Sequence, residues 1–398
     1  MSLVKQRINI IDSIRGFSLL GILLANLLIF QFGIFGKDEI HYYQLSTVDT
    51  YAYYFTKVVI EGAFLPIFMF IFGYSLILMR NKLKENNKRV KWHLFRRFAL
   101  LMTLGILHST YLWEGDILFV YGLMGLLLLV MVNRKPKTLL IWAVLLFSLL
   151  FIGSLFEAEE IKMIRADKID LYMKQTQEIY GSGTYSEIRA HSLDDEMLDM
   201  SGGEAAFMLF LTPFVLSPMF LIGMYAAHRK WLQNTSSKIK QFTILSGLFI
   251  PIGLLLKATP LLSKQWDYRL DMSMIGGSML AIGYISLFVY MYNHQKFKRF
   301  LSGFESMGKL SLTNYLMQSM ICTFLFYGYG LGWFGDLGVI LATVVGVIIF
   351  GTQAFLSSFY LKHLPIGPIE YLARLVVYLK IPKFKKHTSL EDNHRKAI

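Results

Sequence analysis

Apolar runs of about 18 to 25 residues, each long enough to cross a ~30 Å hydrocarbon core as a helix, recur along the whole chain. Short clusters of charged or turn-forming residues separate them. The pattern predicts about ten spanning helices, over residues 10–31, 52–79, 94–113, 116–132, 138–156, 205–227, 240–257, 270–292, 310–329 and 336–360. Between the fifth and the sixth lies an acid-rich segment, 157–204, where Ile, Leu and Tyr recur every three or four positions until "YGSGTY" interrupts them. That spacing predicts short amphipathic helices laid as a cap over one face of a bundle, with a solvated loop as the alternative.

The expected fold class is therefore an all-α, polytopic integral membrane helical bundle. Residues 1–156 would form a first bundle of five helices, 157–204 the external cap, 205–380 a second bundle of five with a C-terminal interfacial helix, and 381–398 a basic tail. Composition agrees: 55% hydrophobic residues against 17% charged leaves too much apolar surface for a water-soluble globule. Charge adds an orientation. Most of the 40 Lys and Arg residues fall in loops that share one side if both termini face the cytoplasm, so the sidedness rule predicts N-in and C-in. The net charge of +13 then reflects this asymmetry and attraction to anionic lipid, with no nucleic-acid partner implied. The first apolar segment carries Asp12 and Arg15 and has no small-residue cleavage site, which predicts a retained helix. One cysteine, Cys322, and histidines scattered without ligand spacing predict neither a disulfide framework nor a metal site.

Polar groups inside apolar helices are costly in lipid and so mark functional or pairing positions. In the first predicted helix Asp12, Arg15 and Asn26 share a face. Asn26 lies roughly 16 Å further along the axis than Arg15. In the third, Arg97 and His108 share a face in the same way, with Arg96 beside Arg97 and with Glu114 and Asp116 in the turn just beyond. Glu61 falls in the outer third of the second helix, and Asn314 and Gln318 share a face of the ninth. Depth sorts these groups into a cationic cytoplasmic layer of Arg15, Arg96 and Arg97, and an outer layer of Asn26, Glu61, His108, Glu114 and Asp116. Guanidinium groups suit phosphate, and a histidine oriented by a carboxylate suits proton transfer from a hydroxyl or amine. The structural alternatives are an Asp12–Arg15 pair, Arg96 and Arg97 as interfacial anchors, and His108 as an interhelical hydrogen-bonding group.

Five segments, in order, carry a resemblance: "RINIIDSIRGFSLLGILLANL", "VVIEGAFLPIFMFIFGYSL", "RRFALLMTLGILHSTYLWEGDILFVYGLMG", "GKLSLTNYLMQS" and "FLSSFYLKHLPIGPIEYLARLVVY". The chain resembles the YeiB-type bacterial membrane family. That family is more distantly similar to transmembrane acyltransferases, including heparan-alpha-glucosaminide N-acetyltransferase, which share a "D-x-x-RG" opening and a segment like "FMFIFGYS". The resemblance implies a multi-pass protein of the bacterial plasma membrane that moves an acyl group from cytosolic acyl-CoA to a small-molecule or cell-surface glycan acceptor outside. Arg15 with Arg96 or Arg97 would hold the CoA phosphates, and His108, aided by Asp116 or Glu114, would act as base. Asn26 and Gln318 would position the reacting carbonyl. Sugar O-acyltransferases carry a histidine where this chain has Asn26. The heparan-type enzymes carry theirs further on, which makes His41 the alternative base. A rival class is a proton-coupled transporter or exporter relaying protons through Glu61, His108 and Asp116, for which "EGAFLPIF" is the nearest thing to a broken helix. A non-catalytic membrane protein is the third reading.

Overall fold

The computed structural model describes residues 9–155, 169–193, 202–263 and 271–381; nearly all of the predicted basic tail and parts of the predicted cap lie outside these ranges. Among the described residues the regular structure is helical throughout. The first stretch contains α1 (Asn9–Phe32), α2 (Thr47–Phe55), α3 (Phe64–Glu85), α4 (Val90–Tyr111), α5 (Leu118–Met131) and α6 (Pro136–Gly153). Two short helices follow, α7 (Ile169–Ser182) and α8 (Tyr185–Ser192), then α9 (Gly202–His228) and α10 (Ile239–Ser263). The remainder comprises α11 (Ser273–Asn293), α12 (Gln295–Ser302), α13 (Phe304–Lys309), α14 (Ser311–Phe326), α15 (Gly338–His363) and α16 (Pro368–Tyr378).

Seven helical stretches among the described residues are long and apolar enough to cross a bilayer, as expected of a multi-pass membrane protein. Three other predicted spans correspond to α4, with its basic first turns, and to the shorter α5 and α14. α6 and α10 bury little of their surface and expose Ile141, Val144, Leu248 and Leu255, as lipid-facing helices do. α1, α3 and α11 are largely enclosed.

One predicted span is not a continuous helix. Over 52–79 the chain leaves α2 through a widened π turn, Thr56–Ile60, extends at Glu61 (φ −57°, ψ 138°) and re-enters a helix at Phe64. Gly62 carries the reversal at φ +70°, where a side chain would be strained. Pro66 stands in the first turn of α3, where a missing N–H leaves no hydrogen bond unmade. The carbonyl of Glu61, which the break deprives of a helical partner, accepts a hydrogen bond from Lys257 Nζ of α10. Hydropathy alone reads through such a break because both sides are equally apolar.

α7 and α8 meet at the predicted interruption, where Thr184 and Glu187 form a reciprocal cap: Thr184 Oγ1 accepts from the Glu187 N–H and Glu187 Oε2 accepts from the Thr184 N–H. Helices from opposite ends of the chain interleave, with α1 lying against α3 and also against α13, α14 and α15. Contact between α1 and α13 is close because Gly16 and Gly308 face each other's helix backbone. A Cβ on Gly16 would fall on the Phe304 carbonyl, and one on Gly308 on that of Asp12. Small residues permit this approach in lipid, where packing rather than hydrophobic exclusion holds helices together.

Candidate functional site

The Gly16–Gly308 contact brings the adjacent Arg15 under α13. Its Nη1 donates to Asp12 Oδ1 at 2.9 Å and to the Gly308 carbonyl at 3.2 Å, and its Nη2 donates to Ser75 Oγ of α3 at 3.0 Å. The anticipated Asp12–Arg15 pair is thus present, and the guanidinium also borders a cavity of about 340 Å³. Arg97, Lys309, Arg374 and the carboxylate of Glu370 border the same cavity, and Lys309 is paired with Glu305 at 2.5 Å. Arg97 stacks over Phe72 with its guanidinium carbon 5.4 Å from the ring centre, whereas Arg96 points elsewhere, donating to the Val377 carbonyl at 3.2 Å and covering Trp92. From the cationic end the cavity runs between Leu19, Ile22, Phe68 and Phe72 to Ile117, Tyr121 and Tyr315. It is an apolar tunnel with a positive mouth.

His108 and Asp116 lie just behind Tyr315. The His108 and Tyr315 ring centres are 5.4 Å apart, and Ile117, next to Asp116, donates its N–H to the Tyr315 hydroxyl at 3.4 Å. His108 Nδ1 is 2.8 Å from Asp116 Oδ1, and the two side chains are 2% and 1% exposed. The second carboxylate oxygen accepts the Phe119 N–H at 2.9 Å, which ties Asp116 to the first turn of α5. With Nδ1–H donated to a carboxylate, Nε2 carries the lone pair. Among the described residues Nε2 is buried without a hydrogen-bond partner, as is the hydroxyl of Tyr121. Burying a polar atom unpaired costs about 1–3 kcal/mol, so such an atom calls for a reason beyond folding.

Glu114 takes a different partner from Asp116. It accepts from Tyr180 of α7 at 2.8 Å and lies 3.8 Å from Arg189 of α8, which fastens the two short helices over this end of the bundle. Burial raises its pKa above the ordinary carboxylate value of 4.5, against the opposing pull of its hydrogen bonds and Arg189. His41 stands apart on the surface, 67% exposed and 3.4 Å from Glu39. Asn26 is half-buried on α1 and borders neither the tunnel nor the cavity described next.

Glu61 belongs to a second cluster. At the break before α3 it joins Lys37, Asp38 and Lys57: Lys37 reaches Asp38 at 2.6 Å and Glu61 at 2.9 Å, and Lys57 bonds both carboxylates. Burial opposes the charge on Asp38, but Lys37 and Lys57 outweigh it and hold the carboxyl below its usual range. This network and Lys257 border a cavity of about 650 Å³ that also touches Phe147, Leu216 and Met219. Asn314 and Gln318 serve a third purpose. Asn314 donates to Ser357 at 3.0 Å and Gln318 to Gln353 at 3.1 Å, so their polarity is satisfied between α14 and α15.

Ser75, Tyr121, Lys309, Tyr315 and Arg374 are tunnel residues that reading the sequence missed. Their neighbours are remote along the chain; the one local hint was Glu370 in "GPIEYLARL", an acid in the first turn of α16. Its carboxylate accepts from Leu312 N and Thr313 N at 2.8 and 3.1 Å, capping α14 and holding α16 against the tunnel mouth. Among the described residues no group of three or more His, Cys, Asp or Glu side chains is placed to hold a metal ion.

Residues 7–172 match the family model described as heparan-alpha-glucosaminide N-acetyltransferase, catalytic, and residues 226–380 match one described as a protein of unknown function (DUF418). Over the first of these regions the chain is similar to a membrane acyltransferase. The uncharacterized protein YxaH of Bacillus subtilis (strain 168) is 31% identical over 98% of both chains. The uncharacterized protein YeiB of Escherichia coli (strain K12) is 27% identical over 92% of this chain and 94% of its own. An uncharacterized 39.9 kDa protein in the amylase 3' region of Bacillus acidopullulyticus is 25% identical over 94% of this chain and 95% of its own. The tunnel draws on both matched regions: Arg15, Arg97 and Tyr121 lie in the first, Lys309, Tyr315 and Arg374 in the second.

Proposed function

The chain belongs to the YeiB-type family, and on that footing we propose that it transfers an acyl group from cytosolic acyl-CoA to a hydroxyl or amine acceptor on the opposite face of the plasma membrane. The observation that carries this reading is the His108 ring, held by Asp116 at 2.8 Å and left with a buried Nε2 that has no hydrogen-bond partner among the described residues, directly behind Tyr315 of the wall of an apolar cavity that Arg15 and Arg97 also border. A thioester on a thin, uncharged arm suits the tunnel, and phosphates suit Arg15, Arg97, Lys309 and Arg374 at its mouth. The reading includes ten crossings with both termini cytoplasmic, an arrangement in which that mouth would open on the side where acyl-CoA is made.

In this mechanism His108 Nε2 accepts the proton of the acceptor hydroxyl or amine as its oxygen or nitrogen attacks the thioester carbonyl carbon. Asp116 holds the imidazole in the required tautomer and stabilises the cation that forms. Collapse of the tetrahedral intermediate breaks the C–S bond, and the departing thiolate takes the proton back from Nε2, giving the acylated acceptor and free CoA. The test uses labelled acetyl-CoA with vesicles of known sidedness carrying the wild type or His108→Ala, and glucosamine as the trial acceptor. Label should reach the acceptor only when acetyl-CoA and glucosamine are on opposite sides, and only with the wild type. Neither binding nor transfer by the wild type would overturn the reading.

A second reading, proton-coupled transport, is favoured by one observation: the helix break at Glu61 and Gly62, beside charged groups at the depth of the membrane. It predicts that the cluster at the break, rather than His108, is indispensable.

A further inference from the structure

The cavity of about 650 Å³ at the helix break borders a different face of α3 from the tunnel: Phe72 and Ser75 line the tunnel, Leu65 and Met69 the cavity. Its charged groups are gathered at the break by their mutual bonds, whereas α6 and α9 contribute only apolar side chains, Phe147, Leu150, Leu216 and Met219 among them. α6 packs on α9 and α10 packs on α11, but contact between the two pairs is slight. On either side of this gap α6 and α10 expose apolar side chains, as lipid-facing helices do. Pro218 of α9 and Pro260 of α10 both border the cavity. Each leaves the carbonyl four residues earlier without its helical N–H, and each time the preceding hydroxyl answers it. Ser217 Oγ donates to the Phe214 carbonyl at 2.9 Å, and Thr259 Oγ1 to the Leu256 carbonyl at 2.6 Å. With the backbone repaired at both prolines, an apolar chain can lie against them.

The charged part of the wall is balanced in sign. Lys37, Lys57 and Lys257 border the cavity together with Asp38, Glu61 and Asp271, three charges of each kind. A lone anion entering there meets three carboxylates, and a lone cation meets three lysines, so neither gains what it would at a site of one sign. A head that carries both signs exchanges partners with the network one for one and leaves no buried charge unpaired. We infer that this cavity binds a zwitterionic phospholipid, entering from the bilayer through the gap between the α6–α9 and α10–α11 pairs. Its phosphate lies at the lysines, its ammonium at the carboxylates, and an acyl chain runs along α6 and α9. The site stands apart from the acyl-transfer reading, because the occupant is held on a face of α3 that does not line the tunnel.

The full-length protein, delipidated in detergent, tests this by titration with three lipids of the same acyl chains, read by native mass spectrometry: phosphatidylethanolamine, phosphatidylglycerol and an uncharged monoglucosyl diacylglycerol. The wild type should bind phosphatidylethanolamine about tenfold more tightly than either of the others, as expected for one charge-assisted contact more. Leu150→Trp on α6 and Leu216→Trp on α9 fill the apolar part of the cavity from separate helices and touch none of its charges; both side chains are partly exposed. Each should reduce binding of phosphatidylethanolamine about tenfold or more, and a thermal melt on each reports whether the fold is retained. Glu61→Gln removes a carboxylate from the network and should reduce the preference for phosphatidylethanolamine over phosphatidylglycerol. Equal affinity for the three lipids, or tighter binding of phosphatidylglycerol or of the glucolipid, overturns the zwitterionic assignment. Binding of phosphatidylethanolamine that both tryptophan variants leave unchanged puts the lipid elsewhere and overturns the site. Neither result bears on transfer from acyl-CoA, which the vesicle assay reads separately.

Discussion

Two polar regions sit inside this apolar molecule, and they are built on opposite plans. At the helix break, Lys37, Lys57, Asp38 and Glu61 bond one another, and Lys257 bonds the carbonyl that the break exposes. Behind Tyr315, His108 is anchored on one nitrogen and buried without a hydrogen-bond partner among the described residues on the other. The cavity at the break is the larger, about 650 Å³ against about 340 Å³, yet its charges are already answered by neighbours. Size and charge alone therefore single out the helix break, whereas an unanswered polar group singles out His108. What marks a site for chemistry is a group the fold orients and then leaves incomplete.

The sharpest way to break the comparison is Asp116→Asn. An amide of the same shape no longer fixes the histidine tautomer, and acyl transfer should fall by about 10²–10⁴-fold with little change in donor affinity. The measurement is single-turnover transfer from acetyl-CoA beside CoA titration; retained activity would place the base elsewhere, with exposed His41 next in line.

Lys257→Met should act the other way. It leaves the Glu61 carbonyl without its donor, at about 1–3 kcal/mol of stability, and the transfer rate per folded molecule should stay the same. Thermal melts and rates on the same preparation read both quantities. Lost turnover with an unchanged melt would transfer the function to the helix break and favour transport.

The smallest effect is expected between α14 and α15. Gln318→Leu or Gln353→Leu alone strands one buried amide and should cost about 1–3 kcal/mol, while the double change should be nearly neutral. A double-mutant cycle on melting checks this. Strong loss of transfer in the double variant would restore Gln318 to a role at the reacting carbonyl.

How far the sequence could be read follows from how local each signal is. Apolar length placed the helices, and "YGSGTY" placed the interruption between α7 and α8, because those signals lie within the segment they describe. His108 and Asp116 were legible because only one turn of chain separates them. Lys57 and Glu61 stand four residues apart, but Lys257 reaches them from another helix, so the closure of that network was invisible. Asn314 and Gln318 carried a sign that went unused: Gln353 and Ser357 repeat their four-residue spacing on α15, the mark of two helices sharing a polar seam. Tyr315 and Arg374 gave no sign, since each matters only through residues far away in the chain.

The contact between Gly16 and Gly308 sets a rule of inheritance. A side chain on either glycine would collide with the other helix's backbone, so the face of α1 and the face of α13 have to be exchanged together. The tunnel has one wall from each of the two regions that match known families. A chimera that takes residues 7–172 from one relative and 226–380 from another joins walls that were never fitted to each other. The smallest portable unit of this protein is then the whole polypeptide, however separable its two halves look when they are compared one at a time.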